Sequence, residues 1–137
     1  MSTPEQQEPK HKILLIEDDK FLIKLYSDKL TREGFEVSMA ITGEEGLSKV
    51  KSEKPELILL DVILPQKNGF DILSALKLDS TTKSIPVVML TNLGQESDVK
   101  TGLELGAVDY LVKTDFSITR LPEVVRKHIA LHTKKGK

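Results

Sequence analysis

Short aliphatic runs alternate with segments of helical periodicity along the chain. Continuous runs such as residues 13–16 and 57–60 are typical of strands that are covered on both faces of a sheet. This pattern predicts five strands, at residues 13–16, 35–40, 57–60, 87–90 and 110–112. Five strands that alternate with five helices require a mostly parallel sheet with right-handed crossovers. The predicted fold class is therefore α/β, with a doubly wound five-stranded parallel sheet.

Helical spacing follows the first two predicted strands. The first helix carries apolar residues at helical intervals: Leu22, Leu25, Tyr26 and Leu30. Gly34 is a type of residue that commonly ends a helix, so the first helix is expected to stop there. Thr42 and Glu45 have the spacing of a capping box, which indicates a second helix that runs to about residue 52.

Three further helices are predicted in the second half of the chain. The third covers about residues 69–78, the fourth covers about residues 95–105, and the fifth lies near the carboxyl end. The fourth has the weakest apolar face, which consists of Val99, Leu103 and Leu105, and Gly102 weakens it further. The fifth carries one apolar stripe: Leu121, Val124, Val125, His128 and Ile129. On this stripe His128 is expected to be a packed residue rather than a ligand.

Length and composition predict one domain. The chain has 137 residues, of which 39% are hydrophobic and 30% charged, with a net charge of −1. The near-neutral charge argues against a main role in nucleic-acid binding. There is no cysteine, and no apolar run approaches the ~20 residues of a membrane span. We expect a cytoplasmic domain over residues 11–132, with a flexible tail at 1–10 and a basic tail at 133–137.

Polar residues follow four of the five predicted strands. They are the acidic run Glu17-Asp18-Asp19, Asp61, Thr91 and Lys113. Each has an ordinary structural explanation by itself, since acids cap helices, aspartates form turns and surface lysines are solvated. Those explanations do not predict polar groups at four neighbouring strands of a sheet with the order 2-1-3-4-5. In such sheets, functional groups gather at the carboxyl ends of the strands.

The acidic residues at these strand ends indicate a cation site. Carboxylates brought together repel one another and raise one another's pKa unless a cation holds them. An all-oxygen ligand set favours a hard ion, and Mg²⁺ suits a site that a phosphate completes. A lysine opposite the acids suits an incoming phosphoryl group. The pattern therefore predicts phosphoryl transfer, with an aspartate as nucleophile.

Four stretches of the sequence resemble the receiver domain of response regulators in two-component signalling. They are ILLIEDD, LILLDVILPQKNG, VVMLTN and DYLVK, in the order and spacing of that family. The resemblance covers roughly residues 11–132. It implies a flavodoxin-like (βα)5 sandwich that is phosphorylated on one aspartate within a phosphorelay, with Mg²⁺ as cofactor.

The resemblance also implies a role for each matching residue. Asp61 matches the phosphoacceptor, and Lys113 matches the lysine that pairs with the phosphate. Glu17 and Asp18 match the acidic pair at the metal, with Asp18 as the direct ligand and Glu17 acting through water. Ile63 occupies the position whose backbone carbonyl completes the metal coordination.

Three more residues have implied or expected roles. Thr91 matches the switch hydroxyl that turns toward the phosphoryl group, and Tyr110 matches the aromatic residue that moves inward with it. Asp19 lies one position beyond the acidic pair. It is expected first to cap the first helix and second to act as an outer-sphere acid.

Two residues depart from the family pattern. Thr114 stands where a proline commonly follows the lysine, and Asn92 stands where a small residue often follows the switch threonine. A cis bond before a residue other than proline costs about 2.5–4 kcal/mol. We therefore expect a trans bond between Lys113 and Thr114, an altered loop through residues 115 and 116, and a lysine that still pairs with Asp61.

We expect a stand-alone response regulator without an attached output domain. It would accept a phosphoryl group from a histidine kinase or a histidine phosphotransfer protein. The surface of the fourth helix, fifth strand and fifth helix would then change to control a downstream protein. We expect no direct contact with nucleic acid, no membrane insertion, and no enzymatic turnover beyond its own phosphorylation and dephosphorylation. The expected state is a monomer, or a dimer linked to phosphorylation.

Two other classes of function stay open. A small phosphohydrolase would use Asp61 as a covalent nucleophile on a small substrate, although the sequence has no obvious insertion for substrate specificity. A scaffold that acts without phosphorylation is the second alternative. The complete set of acids, together with Thr91 and Lys113, argues against it.

Overall fold

Five parallel strands form one sheet with helices on both faces. The structure, a computed structural model, describes residues 10–133. The strands are β1 (Lys12–Ile16), β2 (Glu36–Ala40), β3 (Leu57–Leu60), β4 (Val87–Thr91) and β5 (Asp109–Val112). The helices are α1 (Lys20–Arg32), α2 (Gly43–Glu53), α3 (Gly69–Leu78), α4 (Glu96–Glu104) and α5 (Leu121–Thr133). The strand order is β2-β1-β3-β4-β5 and every pairing is parallel, which confirms the predicted flavodoxin-like fold class.

The predicted tails at residues 1–10 and 133–137 lie outside the described part of the chain, apart from Lys10 and Thr133. The domain boundaries at residues 11 and 132 therefore stay predictions. Within residues 10–133, no helix has both the length and the apolar character needed to cross a bilayer.

The central strands are buried because helices cover the sheet on both sides. Every residue of β3 is buried, and its side chains alternate between the two faces of the sheet. Leu57 and Leu59 pack in the cluster that contains α1 and α5 side chains. Ile58 and Leu60 pack in the opposite cluster, with α2 and α3. This sandwich holds the carboxyl ends of the strands at one edge, where the predicted site residues follow them.

Side-chain caps begin the first two helices at the predicted positions. Asp19 Oδ1 accepts hydrogen bonds from two amides in the first turn of α1, at 2.9 and 3.1 Å, so its role as a cap is confirmed. Thr42 Oγ1 accepts from the amide of Glu45 at 3.0 Å. The Glu45 carboxylate, however, accepts from the amide of Ile41 rather than that of Thr42. The reciprocal bond of the predicted capping box is thus displaced by one residue, and it satisfies a different free amide.

In two helices one residue of the predicted apolar face is exposed, while other residues of that face pack against the core. In α1, Leu25 is 41% exposed and Ile23 is buried instead. Since α1 has apolar residues on more than one side, periodicity alone does not determine which residues lie at the margin of the buried face. In α4, Leu103 is 46% exposed and Gly102 is the buried residue. The ring of Tyr110 occupies the space beside Gly102 that a larger side chain would need.

Gly69 allows the start of α3 to approach the end of β3. Its amide donates a hydrogen bond to the carbonyl of Val62 at 2.7 Å. A Cβ atom at this position would lie 2.1 Å from the carbonyl oxygen of Asp61. A backbone atom cannot move aside as a side-chain tip can, so only glycine fits. This contact fixes the backbone of Asp61, the residue predicted to be the nucleophile.

We predict that Gly69→Ala lowers the free energy of unfolding by about 3 kcal/mol, since overpacking a tight site costs about 1–3 kcal/mol or more. Urea unfolding followed by circular dichroism measures this difference. Gly46→Ala is the matched control, because its Cβ would meet the flexible end of the Ile16 side chain rather than backbone. A loss in Gly69→Ala no larger than the loss in the control would contradict this account of the loop.

Candidate functional site

Polar side chains from four strand ends meet in one cleft at the carboxyl edge of the sheet. The cleft has a volume of about 160 Å³. Its lining residues are Glu17, Asp18, Asp19, Leu22, Asp61, Ile63, Asn92 and Lys113. The predicted convergence is therefore confirmed for the acids and the lysine, whereas β4 contributes Asn92 to the lining and the predicted Thr91 is not part of it.

Lys113 forms two buried ion pairs in this cleft. Its Nζ lies 3.0 Å from Asp61 Oδ2 and 2.6 Å from Glu17 Oε1. The three side chains are only 2–8% exposed. The predicted pairing of Lys113 with Asp61 is confirmed, and the shorter contact with Glu17 is an addition that the sequence did not predict. One ammonium thus neutralises part of the charge on two carboxylates.

The ionisation of Glu17 and Lys113 reflects both burial and pairing. Burial raises the pKa of the Glu17 carboxyl, and the hydrogen bond from Lys113 only partly offsets this effect. For Lys113, burial acts to lower the pKa, but the hydrogen bond to Glu17 and the charge of Asp61 outweigh it. The pKa of Lys113 is therefore raised above its usual value. The lysine is charged in the neutral pH range, as its proposed role requires.

Backbone amides orient the two buried carboxylates. The amide of Ile63 donates to Asp61 Oδ1 at 3.1 Å, and the amide of Asp19 donates to Glu17 Oε2 at 3.0 Å. Each carboxylate therefore has one oxygen bonded to an amide and the other bonded to Lys113. Ile63 itself is 56% exposed at the rim of the cleft.

The acidic residues are suited to hold a divalent cation. Glu17, Asp18 and Asp61 have carboxylate oxygens within 4.8 Å of one another, and Asp18 is exposed to solvent. Three carboxylates against the single ammonium of Lys113 leave two net negative charges. A hard, oxygen-binding ion such as Mg²⁺ matches both this charge and this ligand chemistry. The residues predicted to bind metal are thus brought together, while the contribution of the Ile63 carbonyl stays a prediction.

Thr91 and Tyr110 are connected through the backbone of Leu93. Thr91 is fully buried at the end of β4, and its Oγ1 accepts from the amide of Leu93 at 3.2 Å. The hydroxyl of Tyr110 donates to the carbonyl of Leu93 at 2.5 Å. Burial raises the pKa of Tyr110 to about 12, so this hydroxyl keeps its proton. Both contacts of Leu93 are made by its backbone, and a sequence contains no signal for backbone contacts of this kind.

The chain turns away from β5 directly after Lys113. No cis peptide bond occurs within residues 10–133, so the predicted trans bond between Lys113 and Thr114 is confirmed. Two short 3₁₀ turns, Lys113–Asp115 and Ile118–Arg120, lead from the strand to α5. Lys113 therefore reaches the acids from a trans backbone, through its long and flexible side chain.

Comparison with known proteins assigns the chain to a family. Residues 13–126 match the family described as the response regulator receiver domain. The transcriptional regulatory protein CpxR of Escherichia coli is 48% identical over 103 residues, which are 75% of this chain and 43% of that protein. The chain thus spans less than half the length of the curated relatives it matches.

Solved structures share the fold over most of the chain. A CheY-like response regulator receiver domain protein from Methanospirillum hungatei is 26% identical with a TM-score of 0.85, covering 93% of this chain and 99% of that chain. The Mn²⁺-bound form of a response regulator is 31% identical with a TM-score of 0.75, covering 87% of this chain and 93% of that chain.

The chain belongs to the response regulator receiver domain family, as its sequence motifs indicated. Receiver domains are the phosphorylated modules of two-component systems, and they bind Mg²⁺ at an acidic pocket. The cluster of Glu17, Asp18 and Asp61 is the acidic pocket of this chain.

We predict that Lys113→Met lowers the free energy of unfolding at neutral pH by about 3–5 kcal/mol, because two buried carboxylates lose their counter-charge. The pKa of Glu17 is raised in the folded state, so the protonated form of this side chain favours the folded protein. This contribution to stability is complete below the unfolded pKa of 4.5 and is lost as the pH rises through the folded pKa. Protonation at acidic pH removes the unpaired charge, and the difference between variant and parent should therefore shrink there. Urea unfolding over a series of pH values tests both expectations.

Lys24→Met provides the matched control, since Lys24 pairs with Asp28 on the exposed side of α1. An exposed ion pair contributes about 0–1 kcal/mol. Equal losses in the two variants, or a Lys113→Met deficit that grows on acidification, would be inconsistent with a buried pair.

Proposed function

We propose that Asp61 of this protein accepts a phosphoryl group from a histidine kinase or a histidine phosphotransfer protein, in a reaction that depends on Mg²⁺. The observation that carries this proposal is the buried Lys113 ammonium, which contacts both Glu17 and Asp61 in an open acidic cleft. Membership of the receiver family supports it, since phosphorylation is general in that family.

The acidic residues would hold the metal in different ways. Asp18, which is exposed, is the direct ligand in this proposal, together with Asp61 and the backbone carbonyl of Ile63. Glu17, which is already bonded to Lys113, acts through water. When bound, Mg²⁺ supplies positive charge to the oxygens of the transferred phosphoryl group.

The residues of the chain carry out the transfer. A carboxylate oxygen of Asp61 forms a bond to phosphorus as the bond between phosphorus and the donor histidine breaks. The ammonium of Lys113 then pairs with a phosphoryl oxygen in place of the free carboxylate. Thr91 turns its hydroxyl toward the phosphoryl group. This rotation breaks the hydrogen bond that the amide of Leu93 donates to Thr91 Oγ1.

The signal leaves through α4, β5 and α5. Loss of the bond between Thr91 and Leu93 would disturb the bond that the Tyr110 hydroxyl donates to the carbonyl of Leu93. Tyr110 then moves inward, away from Gly102 of α4. A downstream protein that binds only the changed surface would shift the equilibrium between the two states of the domain further toward the phosphorylated form.

The cleft favours this function over the two alternatives. Its volume of about 160 Å³ is small beside the ~300–1,000 Å³ of typical small-molecule sites. A phosphohydrolase would need more contacts to hold its substrate. A scaffold independent of phosphorylation would have no use for two acids and a lysine buried together beside a third, exposed acid. In this proposal the protein catalyses only its own phosphorylation and dephosphorylation.

Several finer expectations stay predictions. They are the stand-alone state, the monomer or phosphorylation-linked dimer, the absence of direct nucleic-acid contact, and the cytoplasmic location. CpxR, one of the relatives, is named as a transcriptional regulatory protein and is more than twice as long as the matched region. The process that the present protein regulates is therefore a separate question from its chemistry.

We predict that acetyl phosphate adds one labile phosphoryl group to the protein only when Mg²⁺ is present. Intact-mass measurement before and after treatment detects the addition. Asp61→Asn should abolish it, whereas Asp71→Asn, which changes an exposed acid on α3, should not. Equal modification of Asp61→Asn and the parent would refute the assignment of the phosphoacceptor.

We also predict that a beryllofluoride phosphate mimic changes hydrogen exchange at residues 92–105 and at Tyr110. The physical reason is that α4 buries only Gly102 within its helical residues, so a small free energy can shift it. Asp61→Asn with the same reagents is the control. An unchanged exchange pattern in this region, with the mimic bound to the parent, would exclude α4 and β5 as the switched surface.

A further inference from the structure

A buried histidine on α5 contacts β5 at a point outside the acidic cleft. His128 is 5% exposed, and its Nε2 lies 2.9 Å from Asp109 Oδ2. Asp109 begins β5 and its side chain is 34% exposed. The pair therefore links the edge strand of the sheet to the last helix.

The hydrogen bonds of the pair determine where the proton lies. An ionised carboxylate only accepts hydrogen bonds, so Nε2 of His128 is the donor to Asp109. The other ring nitrogen, Nδ1, is buried and has no hydrogen-bond partner among the residues that the structure describes. An apolar side chain would fill the same space without an unpaired nitrogen. The contribution that a histidine adds here is thus its bond to Asp109.

Asp109 stands directly before Tyr110, the aromatic residue of the proposed switch. Its Oδ1 accepts from the amide of Tyr110 at 2.9 Å, while Oδ2 bonds to His128. The hydroxyl of Tyr110 is bonded to Leu93, and Leu93 is bonded to Thr91. Hydrogen bonds, joined by the covalent frames of Tyr110 and Leu93, therefore connect α5 to the buried end of β4.

The strand that carries these contacts is suited to move. All four residues of β5 are only half-buried, whereas every residue of β3 and β4 is buried. β5 is also at the edge of the sheet and pairs with β4 alone. A displacement of Tyr110 can therefore shift the start of β5 without disturbing the central core.

We propose that Asp109 and His128 are positioning residues through which a change at Tyr110 is transmitted to α5. The proposal rests on the proposed phosphorylation switch and adds the connection to the last helix. Inward movement of Tyr110 displaces Asp109, and the bond from Asp109 to the buried ring of His128 moves α5. Without this bond, the cleft and Tyr110 still respond to phosphorylation, but α5 does not follow.

The experiment compares the full chain with three variants by backbone amide NMR, each with and without beryllofluoride and Mg²⁺. His128→Leu removes the donor and keeps an apolar filling of the site. His128→Gln retains a terminal amide that can donate to Asp109. His132→Leu is the matched control, because His132 is on the same helix and its ring bonds to the carbonyl of His128 rather than to Asp109.

In the parent and in His132→Leu, the mimic should change the backbone amide chemical shifts of Leu93, Tyr110 and residues 126–131. In His128→Leu, the change at residues 126–131 should fall at least about fivefold, the lower end of usual coupling between sites, while that at Leu93 persists. His128→Gln should restore part of the α5 response, which a merely structural role would not predict. Asp109→Leu removes the acceptor oxygens of this side chain, and it replaces His128→Leu in the comparison if the latter does not fold.

Three results would overturn the inference. The first is that α5 responds to the mimic as strongly in His128→Leu as in the parent. The second is that the mimic changes the chemical shifts of Leu93 but not those of α5 in the parent. The third is that the ring ¹⁵N spectrum places the proton of His128 on Nδ1. Intact-mass measurement of acetyl phosphate addition to all variants separates these outcomes from a failure of the proposed function. A parent that takes up neither phosphate nor mimic rejects the proposed function, and the inference with it.

Discussion

The burial of one ammonium between two carboxylates is the interaction on which the site depends. Lys113 follows β5, whereas Glu17 and Asp61 follow β1 and β3, so the pairing spans β4 and connects the ends of the central strands. Each of these charges would be strongly destabilising if it were buried alone. Their mutual dependence keeps the carboxyl edge of the sheet assembled. It also leaves an excess of negative charge, to which a cation and then a phosphoryl group can add.

Rigid and adaptable parts of the domain are separated along the sheet. The aliphatic strands β1, β3 and β4 place the reacting groups within a core that is covered on both faces. Toward one edge, β5 is half-buried and α4 contributes a single buried glycine. Chemistry at a rigid centre can thus be coupled to movement at a periphery with little packing to lose. Leu93 lies between the two regions, since its amide contacts Thr91 and its carbonyl contacts Tyr110.

Two glycines that allow close packing determine the positions of side chains in and near the cleft, as the charged residues also do. Gly69 brings the first turn of α3 against the carbonyl of Asp61, and Gly102 admits the ring of Tyr110 against α4. Neither contact involves a group that reacts. Gly69 determines where Asp61 lies and Gly102 determines where Tyr110 lies, so a substitution at either glycine would change the geometry of these residues without replacing them.

The strands, the fold class and the residues of the cleft could be predicted from the sequence by itself. Aliphatic runs such as residues 57–60 have only one good environment, a sheet covered on both faces, and parallel strands bring Asp61 and Lys113 to the same edge. Three features were decided only by the tertiary structure: the burial of Ile23 in place of Leu25, the shared contact of Lys113 with Glu17, and the bond between His128 and Asp109. Periodicity describes neighbours along one element, whereas these contacts depend on how elements distant in sequence are oriented and spaced when they pack.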